Sequence, residues 1–597
     1  MVSNPTSKAS TFASSASRPL SKAPTYDFIV VGGGTAGCIL AHRLSANPAH
    51  TVLLLEAGQN DASYLFSRIP SAFTLLFKGS GDWNFHTEQE PGVLGRSLYW
   101  PRGKMLGGCS AINAMIYHRG AWQDYDRWAE MTGDETWGWK YMVKYFKKTE
   151  QLHQHAHLPL SPQEQEEHGV DGEWPISHPT QWAPISTAFV QACMETGISL
   201  TPDVNTSIRG TLGVVPFQTS VYGLERVTSR RAMLTPNVLQ RRNLVIATQC
   251  HVVRILFDET GEKPRAIGVE FVNQGQRYVV KSRKEVVLTA GAVQSPHLLL
   301  LSGIGPKEKL ETWTIPVIRD LPGVGASLYD HITSQVLYTA LPNTTYNQVD
   351  RFPYMISNFM SWFLNHPEAV VQSNVAETAC FIRVKEGLDG DQAQGERVDR
   401  AMGDEAPHVE ILCATGGLIE HGQRRTSGDM FTLVVVLLNP RSHGRITLAS
   451  PDPMVAPRIE ARYFSDERDV DVMVAGIQQA MRIAEQPSLK NRMPGGGASA
   501  LYRPKGLRRD DVDGIRRWIR ESAETLYHPT STCKMGRERM SVVDPRLCVH
   551  GVDGLRIADA SIMPYIVAGH TMAPVMAIAE KAADLIQQDH HSIHARL

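Results

Sequence analysis

The sequence contains no long apolar run and carries almost no net charge. It has 597 residues, with 60 Lys and Arg against 61 Asp and Glu, for a formal charge of −1. A membrane-spanning helix needs about 18 or more consecutive apolar residues, and polar or charged residues interrupt every stretch of that length. A balanced charge gives no long-range field that would attract a polyanion. We therefore predict a soluble protein with neither a membrane span nor a nucleic-acid partner.

Cysteines are few and scattered. The eight cysteines form no C-x-x-C pair and no dense framework, which argues against a zinc site and against a disulfide-stabilised secreted fold. We expect free thiols in a reducing, intracellular compartment and no bound metal.

The two ends of the chain are typical of tails or targeting signals. Residues 1–25 contain no Asp or Glu and lack the apolar core of a secretory signal, so we predict a disordered tail, with a mitochondrial transit peptide as the alternative. The last three residues, Ala595-Arg596-Leu597, are similar to the small-basic-Leu tripeptide that directs import into peroxisomes. We expect a peroxisomal location, with the cytoplasm and the mitochondrion as alternatives.

The first structured segment has the pattern of a strand, a helix and a second strand. The run Phe28–Val31 is apolar and mostly β-branched, as in a buried parallel strand. Apolar residues then recur with helical spacing from Ala36 to Leu44, and Thr51–Leu55 is a second apolar run. This order predicts one unit of an α/β fold with a parallel sheet.

A glycine motif and an acid occupy the turns of this unit. In Gly32-x-Gly34-x-x-Gly37, the first glycine allows a tight turn, the second allows a pyrophosphate to approach, and the third allows the helix and strand to pack closely. Glu56 lies nineteen residues after Gly37 and is placed to accept ribose hydroxyls. The motif predicts dinucleotide binding without separating NAD from FAD.

The middle of the chain has other patterns. Four short strands, Leu244–Ala247, Val252–Phe257, Ala266–Val272 and Val286–Ala290, are predicted to form an antiparallel insertion that returns to the nucleotide sheet. Residues 331–524 contain aromatic-rich stretches, a loop over 386–406 and no second glycine motif. We predict a separate substrate-facing domain there.

Two further segments have features of a cofactor site. Gly107-Gly108 is followed by small residues, which is what a backbone lying against a flat ring or a phosphate requires. Leu555–Ala558 has the pattern of a strand that ends at Asp559, an acid placed for a sugar or ribitol hydroxyl. Pro574 is predicted to be the first residue of a helix, whose N-terminus would stabilise negative charge on a bound group.

Several long motifs identify a family resemblance from about residue 26 to 588. The segments Gly103–Asn113 and Gly291–Gly305 resemble the first and second signatures of the glucose-methanol-choline (GMC) oxidoreductases. Three C-terminal segments, His528–Gly536, Val549–Pro564 and Gly569–Pro574, are similar to the catalytic region of that family. The resemblance implies FAD and an α/β (α+β) fold, in which a Rossmann-like FAD-binding domain carries a discontinuous substrate-binding domain built on an antiparallel sheet plus helices. The implied bounds are 26–330 for the FAD-binding domain, with small insertions that belong either to it or to the substrate domain, 331–524 for the substrate-binding domain, and 525–590 for the return to the FAD-binding domain with the catalytic histidines.

The predicted cofactor-binding residues come from the sequence motifs and from the family resemblance. The glycine motifs, strand ends and helix start indicate Gly32, Gly34, Thr35, Ala36, Gly37, Glu56, Ala57, Gly107, Gly108, Asp559, Ala560, Thr571 and Met572. The resemblance adds Asn113, Ala114, Met115, Ile116 and Val252.

His528 and His570 are the predicted catalytic residues. Alcohol oxidation by a flavin requires removal of the hydroxyl proton as hydride leaves the carbon for flavin N5, and a neutral imidazole can accept that proton near pH 7. By position His528 matches the family's general base, and His570 matches the partner that orients the substrate oxygen or shares the proton. His550 is interpreted as structural.

Departures from the family pattern sharpen these predictions. Some choline-oxidising members bond covalently to the flavin through a histidine at the position of Ile112, so we expect non-covalent FAD here. Photodecarboxylases of the same fold have a cysteine at the position of Leu438. Ser327 and Tyr329 replace the family's usual Asn and Gln, which leaves the contacts of that loop open.

The predicted substrate is a small to medium, uncharged alcohol, with O2 or another electron acceptor. One alternative is a hydroxynitrile-lyase-like enzyme that uses the same histidines while the flavin stays oxidised. A flavin-free binding module is a third possibility.

Overall fold

The computed structural model describes residues 23–594 apart from 156–157, 180–181, 348–350, 352, 365, 367–369, 385–405, 425, 427 and 498–499. Most of the predicted N-terminal tail and of the predicted loop over 386–406 lies outside the described residues, as does the tripeptide Ala595–Leu597. Thr25, the last residue of the predicted tail, begins the first strand.

The first of two large sheets has seven strands. In spatial order six of them are Leu244–Ala247, Val52–Leu55, Thr25–Val31, Gln276–Leu288, Arg265–Asn273 and His251–Asp258, and Leu555–Ile557 also pairs with Gln276–Leu288. The first four strands and Leu555–Ile557 are parallel, whereas Arg265–Asn273 is antiparallel to both of its neighbours. This sheet confirms the predicted Rossmann-like half of the fold.

The strand, helix and strand predicted at the start of the chain are confirmed. Residues 28–31 and 52–55 are buried, as expected for parallel strands covered on both faces. The helix Thr35–Leu44 follows Gly34 directly and packs against the C-terminal helix Met572–His594 in the same apolar core. That core joins the beginning of the chain to its end.

Two predicted details were wrong. Leu244–Ala247 is not part of the antiparallel insertion, because it pairs in parallel with Val52–Leu55 at the edge of the sheet. A short apolar run has the same pattern in either setting, and a partner nearly 200 residues away decides between them. Pro574 is the third residue of its helix, which begins at Met572. It still lies in the first turn, where its missing N–H costs no hydrogen bond.

The second large sheet is antiparallel, as predicted. In spatial order its strands are Leu501–Arg503, Ile332–Thr339, Met430–Leu437, Val409–Ala414, Ala376–Ile382 and Gly213–Pro216, and Glu524–Thr525 also pairs with Ile332–Thr339. Alternate residues face opposite sides: Ile411 and Val435 pack against helices such as Glu467–Ala484 and Pro184–Glu195, whereas Leu412 and Val434 face away from them. The second face is the one turned toward the nucleotide sheet.

Smaller elements surround these sheets. A four-stranded sheet contains Ile116–Tyr117, Gln218–Thr219, Trp174–Ser177 and Glu150–His153, and two-stranded pairs are formed by Phe85–His86 with Tyr99–Trp100, Val221–Tyr222 with Glu225–Arg226, Ile304–Gly305 with Arg319–Asp320, and Arg445–Thr447 with Arg458–Glu460. The remaining α-helices are Trp122–Thr132, Trp139–Thr149, Pro162–Glu166, Ser229–Met233, Pro236–Leu239, Gly291–Leu301, Lys307–Thr312, Tyr354–Phe363, Pro487–Lys490 and Val512–Ser522. Within the described residues, none of the helices has the length and apolar character needed to cross a membrane.

A buried ion network lies beside the four-stranded sheet. It consists of Arg119, Glu150, His168 and Asp203, whose side chains are almost completely shielded from solvent. His168 Nδ1 lies 3.0 Å from Glu150 Oε1, and its Nε2 lies 2.8 Å from Asp203 Oδ2. Burial lowers the pKa of His168, but the two carboxylates outweigh burial and raise it to about 9. This histidine is therefore charged at neutral pH.

Candidate active site

A cavity of about 330 Å³ lies between the carboxyl edge of the first sheet and the inner face of the second. Every predicted site residue except Gly37 and Gly107 lines it, namely Gly32, Gly34, Thr35, Ala36, Glu56, Ala57, Gly108, Asn113, Ala114, Met115, Ile116, Val252, His528, Asp559, Ala560, His570, Thr571 and Met572. Residues from both ends of the chain and from both sheets therefore meet at one site.

Two glycine loops approach each other at the nucleotide end of the cavity. A Cβ atom on Gly108 would lie 2.7 Å from the Cα atom of Gly34, so position 108 does not tolerate a side chain there. The N-terminus of the helix Thr35–Leu44 begins at this point. Backbone N–H groups at a helix start, with no side chain in front of them, fit the pyrophosphate of FAD.

The two predicted glycines outside the cavity support its shape. A Cβ atom on Gly37 would lie 1.9 Å from the carbonyl oxygen of Gly32, so this glycine permits the close contact of helix and strand. The N–H of Gly107 donates to the carbonyl oxygen of Gly33 at 2.7 Å, which ties the two glycine loops together. Both act on the backbone around the cavity.

Glu56 lies at the end of its strand with both carboxylate oxygens in use. Oε2 accepts from the N–H of Gly33 at 2.8 Å, and Oε1 accepts from the N–H of Gly58 at 2.7 Å. Burial raises the pKa of Glu56 to about 7, against the lowering effect of these hydrogen bonds. Each oxygen keeps a second lone pair, so the side chain is able to accept from a ribose hydroxyl.

Asp559 organises a second edge of the cavity. Its Oδ2 accepts from the N–H of Gly291 at 2.8 Å and from the hydroxyl of Ser295 at 2.6 Å, and its Oδ1 accepts from the N–H of Ser561 at 2.8 Å. The carboxylate therefore joins the start of the helix Gly291–Leu301 to the turn after the last strand of the first sheet.

The predicted segment at Asn113–Ile116 touches the start of the C-terminal helix. The amide N–H of Asn113 donates to the sulfur of Met572 at 3.1 Å, and its Oδ1 accepts from the N–H of Met115 at 3.1 Å. Met115 has φ +57°, a left-handed conformation that is strained for this residue. Val252 contributes to the cavity wall from the strand His251–Asp258.

His528 is held through its backbone and through its ring. Its N–H donates to Asp330 Oδ1 at 2.8 Å, and the hydroxyl of Thr525 donates to Asp330 Oδ2 at 2.6 Å. Tyr527 has φ +68°, so the turn before the histidine is strained. The ring Nδ1 lies 3.0 Å from Nδ1 of His331.

The partners of His331 fix the tautomer of His528. His331 Nε2 lies 3.1 Å from the carbonyl oxygen of Leu438, which only accepts, so Nε2 carries the hydrogen. Burial and nearby His570 lower the pKa of His331 to about 3, so this ring is neutral and its Nδ1 is an acceptor. His528 must then donate from Nδ1, which leaves its Nε2 without a hydrogen.

The electrostatic setting keeps His528 neutral. Burial, followed by the positive charge that His570, His331 and Arg102 would place nearby, holds the pKa of His528 well below its usual range. A base of this kind is unprotonated at neutral pH and has an open lone pair on the cavity side.

His570 has a different partner. Its Nε2 lies 3.0 Å from Oε1 of Glu410, a fully buried carboxylate on the strand Val409–Ala414. The rings of His570 and His528 are nearly perpendicular, with centroids 5.0 Å apart. His118 lies behind them, where its Nδ1 accepts from the N–H of His570 at 3.3 Å. Burial lowers the pKa of His118 to about 3. We call His118, His331, His528 and His570 the histidine cluster.

Sequence reasoning missed four supporting residues, namely His118, Asp330, His331 and Glu410. Asp330 and His331 directly follow the loop in which Ser327 and Tyr329 depart from the family pattern, so their position offered a signal. Glu410 had none, because it belongs to a strand in the region without motifs and reaches His570 only through the fold.

The second sheet gives the cavity a mostly apolar wall. Leu412 and Val434 of this sheet line the cavity together with Phe73, Phe77 and Leu418 from outside its strands and a few polar groups. One of these is Glu524, whose pKa burial raises to about 7, so it does not present a full negative charge at neutral pH. This wall suits an uncharged molecule with an apolar body.

The family models of the GMC oxidoreductases match residues 26–333 and 440–579. The chain is 37% identical to an alcohol dehydrogenase (acceptor) of Pseudomonas putida, over 94% of this chain and 95% of that protein. It is 34% identical to the mitochondrial choline dehydrogenase of Mus musculus, over 94% of this chain and 89% of that protein. A solved structure of an Aspergillus oryzae formate oxidase, studied for modification of its FAD, matches with a TM-score of 0.87 and 28% identity, over 95% of this chain and 99% of that one.

Proposed function

The chain belongs to the GMC oxidoreductases, FAD-dependent enzymes that act on CH–OH donors, and from that premise we propose that it oxidises a small to medium, uncharged alcohol. In this proposal His528 is the general base and His570 its partner. The domain bounds 26–330, 331–524 and 525–590 belong to the same proposal, and the interleaving of the two large sheets along the chain supports them.

One observation carries the proposal: His528 lines the cavity as a neutral imidazole whose Nδ1–H is committed to His331. Its Nε2 is therefore free to take the hydroxyl proton of an alcohol bound in the cavity. Bound FAD would supply the acceptor for the hydride of the alcohol carbon. Loss of the hydroxyl proton to His528 and of that hydride would convert the CH–OH group into a carbonyl.

His570 and Glu410 act on the substrate oxygen. Because Glu410 accepts from Nε2, the proton on that nitrogen is fixed, and a second proton on Nδ1 would be neutralised by the buried carboxylate. His570 in that form donates to the oxygen and stabilises the negative charge that develops as His528 removes the proton.

We propose that FAD is bound without a covalent link. Gly34, Gly108 and the start of the helix Thr35–Leu44 would hold the pyrophosphate, and Glu56 the ribose. Ile112, which lines the cavity at the position of the covalent histidine in some relatives, has no group that could form such a bond. Acid precipitation of the purified protein should release all of the flavin into the supernatant.

The test is an anaerobic panel of alcohols, with reduction followed by bleaching of the flavin absorbance. The wild-type protein should be bleached by at least one uncharged alcohol, and His528→Ala should keep its yellow flavin but be reduced at least about a thousandfold more slowly. His550→Gln is the matched control, because His550 hydrogen-bonds the carbonyl oxygen of Gly536 outside the cavity lining. Equal bleaching of wild type and His528→Ala, or cyanohydrin cleavage with the flavin still oxidised, would disprove the proposal. Peroxide formation in air then identifies O2 or another compound as the electron acceptor.

A further inference from the structure

Arg226 is a buried charge without a counter-charge. Its side chain is fully shielded from solvent, and among the residues that the structure describes no carboxylate pairs with it. Arg231, five residues further along the chain, is partly exposed and pairs with Glu225. An isolated buried cation is costly, because the protein interior does not replace the hydration that the ion loses. A merely structural role would be met more cheaply by a neutral side chain.

The guanidinium group holds the segment that lines the cavity at Asn113. Arg226 Nη1 donates to the carbonyl oxygen of Asn113 at 2.6 Å and to its Oδ1 at 2.7 Å. Nε and Nη2 are buried and, within the described part of the chain, have no hydrogen-bond partner. The charge is therefore only partly satisfied by its dipolar neighbours, and burial lowers the pKa of Arg226 to about 9. It remains protonated at neutral pH.

Two sources of positive potential converge on this part of the cavity. Asn113 contacts Arg226 through its oxygen and Met572 through its amide nitrogen. Met572 is the first residue of the C-terminal helix, which continues to His594, and the N-terminus of such a helix carries a partial positive charge. Asn113, Thr571 and Met572 all line the cavity. This end of the cavity therefore favours a group that is negative or becomes negative.

We propose that Arg226 is a positioning residue that acts through Asn113 to favour the reduced, anionic state of bound FAD over its oxidised state. This inference rests on the proposed use of FAD. It assigns a role to Arg226, which in this proposal contacts neither the substrate nor the transferred hydride. The pyrimidine part of a flavin gains negative charge on reduction, and an uncompensated cation in a low-dielectric interior stabilises that charge. A neutral residue at position 226 should leave binding of oxidised FAD largely intact and weaken binding of reduced FAD.

The test measures the reduction potential of bound FAD in the absence of any alcohol. Arg226→Met removes the charge and keeps an apolar side chain of similar length. We expect the ratio of the dissociation constants of oxidised and reduced FAD to change at least about tenfold, which lowers the two-electron potential by about 30 mV. Affinity for sulfite, which adds reversibly to electron-poor flavins, should fall by a similar factor.

Two variants separate charge from packing. Arg226→Lys keeps the charge but makes fewer hydrogen bonds. At pH 6, its ratio of the dissociation constants of oxidised and reduced FAD should stay within about threefold of the wild-type ratio. Arg231→Met removes the hydrogen bond that Arg231 donates to the carbonyl oxygen of Arg226, without removing an unpaired charge, and should leave the ratio unchanged.

An unchanged potential in Arg226→Met, or an equal shift in Arg226→Met and Arg226→Lys, would overturn the proposal. If Arg226→Met does not retain FAD, Arg226→Lys decides: a tenfold change overturns the proposal and a change within threefold supports it. A wild-type protein without flavin would instead refute the proposed function.

Discussion

The histidine cluster and the ion network meet at consecutive residues, His118 and Arg119. The histidine cluster is mostly neutral, whereas every member of the ion network is charged. All members of both groups are buried except His528, which is partly exposed at the cavity. In the ion network, His168 lies between two carboxylates and its pKa rises to about 9. In the histidine cluster, His118 and His331 have no carboxylate partner among the described residues, and their pKa values fall to about 3.

The difference shows that burial alone does not set the charge of a histidine. Burial lowers the pKa in both clusters, and the supply of carboxylates decides the outcome. The ion network joins structural elements with fixed charges. The histidine cluster keeps a base unprotonated beside the cavity, and Glu410 supplies a negative charge only to His570. The following substitutions test this contrast.

Removing the carboxylate at the centre of the ion network should have the largest effect. Glu150→Gln leaves Arg119 and His168 without their shared partner, and the loss of one member of a buried pair costs about 3–5 kcal/mol of unfolding free energy. Denaturant unfolding measures the change. Glu410→Gln is the matched control and should lose clearly less stability. Equal losses of unfolding free energy in the two variants would contradict the difference in charge between the ion network and the histidine cluster.

The two clusters should respond to pH in opposite directions. His168 releases its proton near pH 9 when folded and near pH 6.5 when unfolded, so its contribution of up to about 3 kcal/mol is complete below pH 6.5 and disappears as the pH rises through 9. His118 takes up a proton near pH 3 when folded, so its contribution is complete above pH 6.5 and is lost as the pH falls.

The difference in stability between wild type and His168→Gln should therefore shrink from pH 6.5 to pH 9. For His118→Gln, the difference should shrink from pH 6.5 downward. Denaturant unfolding at several pH values gives both curves, and parallel curves would show that the two histidines carry the same charge.

Glu410→Gln should impair turnover more than folding. The amide still accepts a hydrogen bond but no longer neutralises a proton on His570, so kcat/KM should fall about a hundredfold, or about 2.7 kcal/mol of transition-state stabilisation. Stopped-flow flavin reduction measures the step. Glu410→Asp restores the charge and should recover part of the rate; an Asp variant no better than the Gln variant would mean that the charge is unimportant.

Replacement of His331, a neutral member of the histidine cluster, should give the smallest change in kcat/KM. His331→Phe removes the acceptor for Nδ1–H of His528, so the base samples the wrong tautomer, and kcat/KM should fall about tenfold, or about 1.4 kcal/mol. His331→Asn offers an amide oxygen to the same hydrogen and should recover most of the rate. Asn and Phe variants with the same rate would exclude a role for His331 in selecting the tautomer.

The nucleotide half could be predicted because its information is local. The strand at Phe28, the glycine motif and Glu56 are close in sequence, and each has a physical reason to occur where it does. The motifs around His528 and Asp559 were recognisable for the same reason. Their residues converge on the cavity, whereas their chemical roles stay predictions.

Glu410, the partner of His570, could not be predicted because its position depends on strand register. Glu410 reaches His570 because the strand Val409–Ala414 pairs with its neighbours so that Glu410 lies opposite Phe381 and Val436. A shift of one residue would turn this carboxylate to the opposite face of the sheet. Leu244–Ala247 was assigned to the wrong neighbour for a similar reason, because its apolar pattern does not indicate which strand it pairs with.

The strand Leu555–Ile557 has a consequence for biosynthesis. It completes the sheet that Thr25–Val31 begins, and the helix after it packs against the helix Thr35–Leu44. At about 5–20 residues per second, a ribosome needs roughly half a minute to two minutes to travel between these two strands. During that interval the nascent chain has an unfinished apolar sheet and no closed cavity for its cofactor, so we expect it to depend on chaperones and to acquire FAD only after Leu555–Ile557 and the following helix have been synthesised.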